Sequence, residues 1–179
     1  MRYAEGPSAH CDIHVGASVP RVWELVTDIL LPARFSPELR RAAWLDGAEG
    51  PRVGARFEGH NHHRLLGEWR TVSHVTELDG TGERRVFAWA VTDADGRYGG
   101  PAPDPARPMA VWRYELAPGA GGTRLRQSVR LGPARSGVSL ALDRWPDREE
   151  RIVAARVEEL RAGMEATLAG IKSLVEKGA

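Results

Sequence analysis

The sequence predicts an α+β fold in which a curved antiparallel sheet of seven strands wraps around one long C-terminal helix. Segments of alternating apolar and polar residues recur along most of the chain, and turn residues separate them. Near the C-terminus the apolar spacing changes to three and four, which indicates a helix of about eight turns. Consecutive short strands joined by tight turns form antiparallel sheets, and the apolar face of such a sheet must be covered. We expect the terminal helix to provide that cover.

The first strand is predicted at residues 9–15, where apolar and polar residues alternate. Ser18 stands where a helix N-cap belongs and Pro20 falls in the first helical turn, so a short helix should follow. A second short helix or turn is expected over residues 31–35. Both short helices therefore precede the rest of the sheet.

Six further strands are predicted, separated by turns rich in glycine and aspartate. The connection at residues 93–107 is longer than the others and rich in Gly and Pro, so we expect it to border the mouth of a pocket. The strands are predicted at residues 40–46, 53–63, 68–78, 84–92, 109–117 and 123–131.

The last element is a helix predicted at about residues 147–176. Its apolar residues lie at steps of three and four, which places them on one helix face. They are Val153, Val157, Leu160, Met164, Leu168, Ile171 and Val175.

Length and composition are typical of one globular domain. The chain has 179 residues, of which 42% are apolar and 27% charged. We expect a single domain over residues 1–179 with an ordered core at about 8–176. No segment has the apolar length of a signal peptide or a membrane span, and the single cysteine, Cys11, fits a reducing compartment. We therefore expect a cytoplasmic protein that does not insert into membranes.

The inner face of the predicted sheet combines aromatic and polar residues. Trp69, Trp89 and Trp112 fall on three successive strands that a meander places side by side. Apolar walls with a few polar groups are typical of a ligand pocket, although large aromatic residues also fill ordinary cores. We predict that the ligand-binding residues are Phe57, Asn61, Trp69, Thr71, Trp89, Trp112, Tyr114, Gln127, Leu160 and Met164.

Local strings along the chain add a family resemblance. They are residues 22–28 (VWELVTD), 35–38 (FSPE), 53–57 (VGARF), 112–116 (WRYEL) and 122–125 (GTRL). With the order of elements, they resemble the START-like, helix-grip superfamily, specifically its polyketide cyclase/dehydrase and lipid-transport (SRPBCC) branch in bacterial, actinobacterial-like form. The resemblance extends over about residues 8–176.

This resemblance implies a function as well as a fold. The expected ligand is a small hydrophobic molecule, aromatic, polyketide-like or lipid, held between the sheet and the C-terminal helix. One alternative is an enzyme that catalyses an aromatase-like cyclisation or dehydration of that molecule. The other alternative is a non-enzymatic carrier or sensor of a lipid or metabolite. The expected partners are the small molecule and, if the chain self-associates, a second copy in a homodimer.

Cyclisation or dehydration needs an acid or base beside the ligand and polar groups at the developing enolate. The catalytic candidates in this sequence are Asn61, His63 and Tyr114, and Glu38 could also move protons if it reaches the cavity. We expect no cofactor, since no phosphate-binding loop or nucleophile elbow is present.

The histidines His60, His62 and His63 suggest a metal site, because His60 and His62 share one face of a predicted strand. That face also carries Arg56 and Glu58, so it is expected to be the solvated side, and the spacing fixes no third ligand. We therefore expect no metal.

Nucleic-acid binding is a remote alternative. The formal net charge of +1 argues against it, and acidic residues interrupt the convex face. The arginines that could cluster on that face are Arg70, Arg113, Arg124, Arg126 and Arg130.

Overall fold

A computed structural model describes residues 1–177 and confirms the predicted architecture. Residues 178 and 179, the last two of the predicted domain, lie outside the described residues. Seven strands form one antiparallel sheet in the order β1-β7-β6-β5-β4-β3-β2. The strands are β1 (Ser8–Val15), β2 (Leu39–Trp44), β3 (Arg56–His63), β4 (Gly67–Asp79), β5 (Arg85–Asp93), β6 (Ala110–Gly119) and β7 (Gly122–Leu131).

Three α-helices accompany the sheet: α1 (Val19–Val26), α2 (Gly137–Arg144) and α3 (Glu149–Lys177). Short 3-10 helices occupy Tyr3–Glu5, Leu31–Arg34 and Pro146–Arg148. The helix α1 and the second 3-10 helix are the two short helices expected after the first strand. Within residues 1–177, each helix is either too short or too polar to cross a lipid bilayer.

The long helix α3 covers one side of the inner face more closely than the other. Its backbone comes closest to β1 and next to β7. The predicted apolar stripe is buried, and Leu168 and Ile171 are each only 1% exposed. Across from this part of α3, Val15 on β1 and Leu125 on β7 are fully buried. Tight apolar packing therefore joins the helix to the β1 side of the sheet.

The helix α2 was not predicted from the sequence. Its N-cap is Ser136, whose side chain accepts a hydrogen bond from the Val138 backbone, while the Ser139 hydroxyl accepts one from the Ser136 backbone. Such reciprocal capping favours a helix start. The helix has eight residues, of which only Val138 and Ser139 are buried, so it carries no long apolar stripe from which periodicity could predict it.

The third strand begins later than predicted. Residues 53–55 were expected to belong to it, but the backbone at Gly54 has a φ angle of 83°, which interrupts an extended strand. Val53 consequently points to solvent and is 61% exposed.

Candidate functional site

The aromatic residues of the inner face form one continuous cluster. Trp89 and Trp112 are paired across β5 and β6, with ring centroids 6.5 Å apart and planes 12° from parallel. Trp89 also lies 6.0 Å from the Phe57 ring and 5.8 Å from the Tyr114 ring. Trp44 and Phe87 were not among the predicted ligand-binding residues, but their rings extend the cluster at 5.5 Å from Phe57 and 5.0 Å from Trp89.

Trp89 and Trp112 remain partly exposed although they lie on the inner face of interior strands. Their neighbours Phe87, Tyr114 and Leu116 on the same face are no more than 2% exposed. Within residues 1–177, the neighbouring side chains therefore leave part of the surface of each of these two tryptophans uncovered. An aromatic wall next to unfilled space can accept a flat apolar molecule.

Asn61, Trp69 and Thr71 form a second, more polar group on β3 and β4. The Asn61 amide donates to the Thr71 hydroxyl at 3.4 Å, and Asn61 is paired with Trp69 across the two strands. A Cβ atom at Gly59 would lie 2.9 Å from the Thr71 hydroxyl oxygen, so glycine leaves the room that this group needs. Asn61 and Trp69 also line an open groove of about 480 Å³ at the surface, most of whose lining is charged and includes Arg70 of the convex face. This group thus lies where the inner face meets solvent.

A larger surface groove, of about 600 Å³, lies between the end of α1 and the edge strand β2. Trp44 is part of its lining and also contacts Phe57 of the aromatic cluster. The groove lies outside the space between the sheet and α3. We place the candidate site at the aromatic cluster because polar side chains converge there.

A cluster of charged residues connects the end of β3 with α3. Arg156 forms a two-point ion pair with Glu38, one hydrogen bond of which is 2.9 Å long, and its guanidinium also contacts Glu159 at 3.3 Å. Burial works to lower the pKa of Arg156, but the hydrogen bond and charge of Glu38 outweigh it and raise this pKa. The guanidinium therefore stays charged. We call Glu38, His63, Arg156 and Glu159 the charged cluster.

His63 contributes a proton donor to the charged cluster. Its Nδ1 accepts a hydrogen bond from the Leu65 backbone at 3.3 Å, which places the proton of the neutral ring on Nε2. The Nε2 atom lies 3.6 Å from the Glu159 carboxylate. In this tautomer, His63 can donate a hydrogen bond to a ligand oxygen but has no free lone pair with which to act as a base.

Glu38, His63 and Glu159 also offer three potential metal-ligand atoms within 4.8 Å of one another. The guanidinium of Arg156 already pairs with both carboxylates, and a metal ion would have to displace it. We therefore interpret the cluster as an ion-pair network.

Tyr98, in the connection between β5 and β6, was missed by the sequence analysis. It is only 3% exposed, and burial raises the pKa of its phenol to about 12. The charges of Arg156 and Glu38 act on the same phenol, so Tyr98 faces the charged cluster. The available signal was a lone aromatic residue in a segment rich in Gly and Pro.

Tyr114 and Gln127 contribute polar atoms that the described chain does not pair. They are partners across β6 and β7. Within residues 1–177, the Tyr114 hydroxyl and Gln127 Oε1 are buried and form no hydrogen bond. Burial raises the pKa of Tyr114 far above its usual range. Each unpaired buried polar group costs about 1–3 kcal/mol of stability.

The structure thus divides the predicted site residues into groups. The aromatic cluster contains Phe57, Trp89, Trp112 and Tyr114, beside which Gln127 lies, and Leu160 and Met164 are buried on α3. Asn61, Trp69 and Thr71 lie at the groove, and His63 belongs to the charged cluster. That these residues contact a ligand stays a prediction.

On the convex face, three of the five arginines considered for nucleic-acid binding pair with carboxylates. Arg70 binds Asp95, Arg113 binds Glu77 and Arg126 binds Asp12. These pairs reduce the positive charge available to a phosphate backbone.

A seven-stranded antiparallel sheet gripping a long C-terminal helix defines the helix-grip class of proteins, and comparisons with known proteins identify the family. The model of the polyketide cyclase/dehydrase and lipid transport family matches residues 8–176, so the chain belongs to that family. No curated protein matches the sequence significantly.

Solved structures agree with this assignment. A polyketide-cyclase-like protein from Corynebacterium glutamicum is 28% identical, with a TM-score of 0.61 over 94% of this chain and 91% of that one. The ZhuI aromatase/cyclase from Streptomyces sp. R1128 is 18% identical, with a TM-score of 0.63 over 96% and 94%. A protein from Thermus thermophilus is 14% identical, with a TM-score of 0.59 over 97% and 99%. The last two show a shared fold.

Proposed function

We propose that this protein binds a small, mostly apolar molecule between α3 and the inner face of β3–β6. The observation that carries the proposal is the partial exposure of Trp89 and Trp112 on the inner face of interior strands. In a fully packed core, side chains from α3 would cover both indoles. A flat aromatic or polyketide-like ring system would stack on them and remove their remaining surface from water.

The position of α3 supports this proposal. The helix backbone lies nearest to β1 and β7, so the strands farther along the sheet lie at a greater distance from it. Met164 and Leu160 are buried on α3 and supply an apolar surface opposite the sheet. The ligand would then lie between two apolar walls, which is the usual setting of a small-molecule site.

The groove at Asn61 and Trp69 supports an entry route. It opens at the ends of β3 and β4, and Arg97 of the long connection contributes to its lining. A ligand entering there would pass the polar group of Asn61 and Thr71 before it reaches the aromatic cluster. The predicted role of residues 93–107 as the border of a pocket mouth fits this route.

Native mass spectrometry of the purified protein, followed by denaturing extraction, tests the proposal. We expect a copurified hydrophobic molecule, or quenching of tryptophan fluorescence by a panel of aromatic ligands. In Trp112→Phe the quenching should decrease, whereas Trp145→Phe, at an exposed residue beside α2, should leave it unchanged. The proposal would be refuted by a protein that carries no copurified molecule and whose fluorescence does not change with any ligand of the panel.

The second candidate function is cyclisation or dehydration of the bound molecule, and the charged cluster favours it. Both reactions remove a proton beside a carbonyl group and develop negative charge on its oxygen. The Nε2–H of His63 would donate a hydrogen bond to that oxygen. The Glu159 carboxylate, 3.6 Å from Nε2, would accept the proton from carbon.

Turnover can be tested with a linear poly-β-ketone made in the same cell by a synthase that lacks its own cyclase. With the wild-type protein we expect a shift from spontaneous products to one cyclised or dehydrated product. Replacing His63, Asn61 or Tyr114 should abolish that shift. Unchanged products from all three variants would show that these residues are not catalytic, and no shift with the wild type would favour a carrier.

A further inference from the structure

Exposed apolar side chains lie together around α2, at the end of the sheet where β3 turns into β4. Leu65 in that turn is 75% exposed, Leu140 on α2 is 39% exposed, and Trp145 directly after α2 is 44% exposed. Single exposed apolar residues are ordinary, whereas a continuous group of them marks a surface that contacts a partner. The other large apolar side chains that are exposed within residues 1–177 lie elsewhere in the chain: Met1, Leu30 and Val53.

Contacts in this region join the three side chains into one surface. Gly137, the first residue of α2, lies against the β3–β4 turn, because a Cβ atom there would come within 2.6 Å of the Leu66 side chain. Leu140 and Arg144 follow Gly137 at steps of three and four, so they share its helix face. The Arg144 guanidinium lies 4.9 Å from the centre of the Trp145 ring. We call this surface the α2 patch, and its members are Arg64, Leu65, Leu140, Arg144, Trp145 and Arg148.

The α2 patch carries free positive charge. Its three arginines are exposed and form no ion pair within residues 1–177, and Arg97 beside the patch binds only backbone carbonyls. Of the nearby acidic residues, Asp143 is bound by Arg135, whereas Asp147 and Glu68 form no ion pair in the same part of the chain. Four free arginines thus outnumber two free carboxylates. Leucine and tryptophan flanked by arginine are typical of a surface that binds anionic lipid headgroups.

The α2 patch adjoins the proposed entry route of the ligand. The Leu65 backbone donates to the ring of His63, a member of the charged cluster, at 3.3 Å. Arg97, which lines the entry groove, binds the backbone carbonyls of Leu66 and Glu68 at the same turn. A lipid surface in contact with the patch would therefore lie beside the groove.

We propose that the α2 patch docks this protein on an anionic lipid surface, with Leu65 and Trp145 at the level of the headgroups. In this arrangement the protein lies on the bilayer and does not span it. Docking lets an apolar ligand pass between the bilayer and the protein with little exposure to water. That role in ligand transfer rests on the proposed function, whereas the docking itself does not.

Sedimentation with sucrose-loaded vesicles tests the docking. We expect the wild-type protein to bind vesicles of equal parts phosphatidylcholine and phosphatidylglycerol, and to bind phosphatidylcholine vesicles more weakly. Added salt should weaken binding to the anionic vesicles. Replacing Leu65 and Trp145 together by serine should lower the affinity at least about tenfold, because both apolar side chains leave water on docking. Replacing Arg64 and Arg144 together by glutamine should remove most of the preference for anionic vesicles.

Leu30→Ser provides the matched control. Leu30 is also an exposed leucine, but it lines the groove beside Trp44, which pairs with the start of β3, whereas Leu65 follows the end of that strand. This variant should bind vesicles like the wild type. All the substituted side chains are exposed, so each variant should melt near the wild-type temperature, which circular dichroism checks.

The vesicle assay uses no ligand and the fluorescence assay of the proposed function uses no vesicles, so either proposal can fail while the other stands. Docking would be overturned by a wild-type protein that sediments with neither kind of vesicle, or by unchanged binding in the variant that lacks Leu65 and Trp145. An equal loss of binding in Leu30→Ser would also overturn it. A wild-type dimer that the serine variant lacks, without vesicle binding, would assign the α2 patch to a second copy of this chain.

Discussion

The two halves of the sheet's inner face differ in how they are filled. On the β1–β7 half, Val15 and Leu125 are fully buried and pack toward the apolar stripe of α3. On the β3–β6 half, Trp89 and Trp112 remain partly exposed and polar side chains are interspersed among the aromatic rings. The difference follows from the position of α3, whose backbone lies closest to β1. The helix α3 thus covers the β1–β7 half of the inner face more closely than the β3–β6 half.

The largest expected effect is a loss of stability from a substitution in the tightly packed β1–β7 half. Leu125→Ala would remove a fully buried side chain where neighbours cannot collapse, so we expect a loss of about 2–5 kcal/mol in the free energy of unfolding. Trp112→Phe, in the β3–β6 half, should lower the free energy of unfolding by less than about 1.5 kcal/mol, because Trp112 is already partly exposed. Urea unfolding of both variants measures the difference. Equal losses would mean that the two halves are packed alike.

A medium effect on stability is expected where glycines of α3 approach Phe35 and Pro37, which lie just before β2. A Cβ atom at Gly170 would lie 2.4 Å from the Phe35 ring, so Gly170→Ala must displace that ring and should cost about 1–3 kcal/mol. At Gly163 the nearest atom, in Pro37, would be 3.5 Å away. Gly163→Ala on the same helix should therefore stabilise the protein by about 0.5–1 kcal/mol. In thermal melts, we expect Gly170→Ala to lower the melting temperature and Gly163→Ala to raise it. Equal shifts in the two variants would contradict this packing.

The smallest effect concerns alkaline pH. Burial raises the pKa of Tyr98 to about 12, above the value of 10 for a free phenol. The stability that this phenol contributes is therefore complete below pH 10 and is lost as the pH rises from 10 towards 12. We expect the free energy of unfolding to fall by an amount on the order of 1–2 kcal/mol over this pH range. In Tyr98→Phe this fall should be smaller.

Absorbance at 295 nm provides the measurement. Burial also raises the pKa of Tyr3 and Tyr114, so all three tyrosines of the chain should ionise later in the folded protein than in urea. A native titration centred near pH 10 would show that burial does not raise the pKa of these three phenols.

The sheet could be predicted closely because alternation is a local property of the sequence. It placed Tyr114 and Gln127 on the inner face, and the register of β6 and β7 then made them neighbours. Alternation could not indicate that their polar atoms would be left unpaired, because that depends on every side chain around them.

The charged cluster shows the opposite case. Glu38 and Arg156 are separated by 118 positions in the chain, and no local pattern links them. Glu38 was predicted as a proton-transfer group, and nothing in the sequence indicated Arg156 as its partner. Tyr98 was missed for a related reason, since a loop residue has no periodicity that reveals burial.

The long connection between β5 and β6 has a practical consequence for following ligand entry. Its first part is held in place: the Tyr98 backbone donates to Asp93 at 2.9 Å and accepts from Arg135 at 2.8 Å, and Arg97 binds the backbone carbonyls of Leu66 and Glu68. Residues 101–107 are all exposed. Since Cys11 is buried, a thiol introduced by Ala102→Cys would be the accessible one, and a dye attached there would report on the exposed part of this connection.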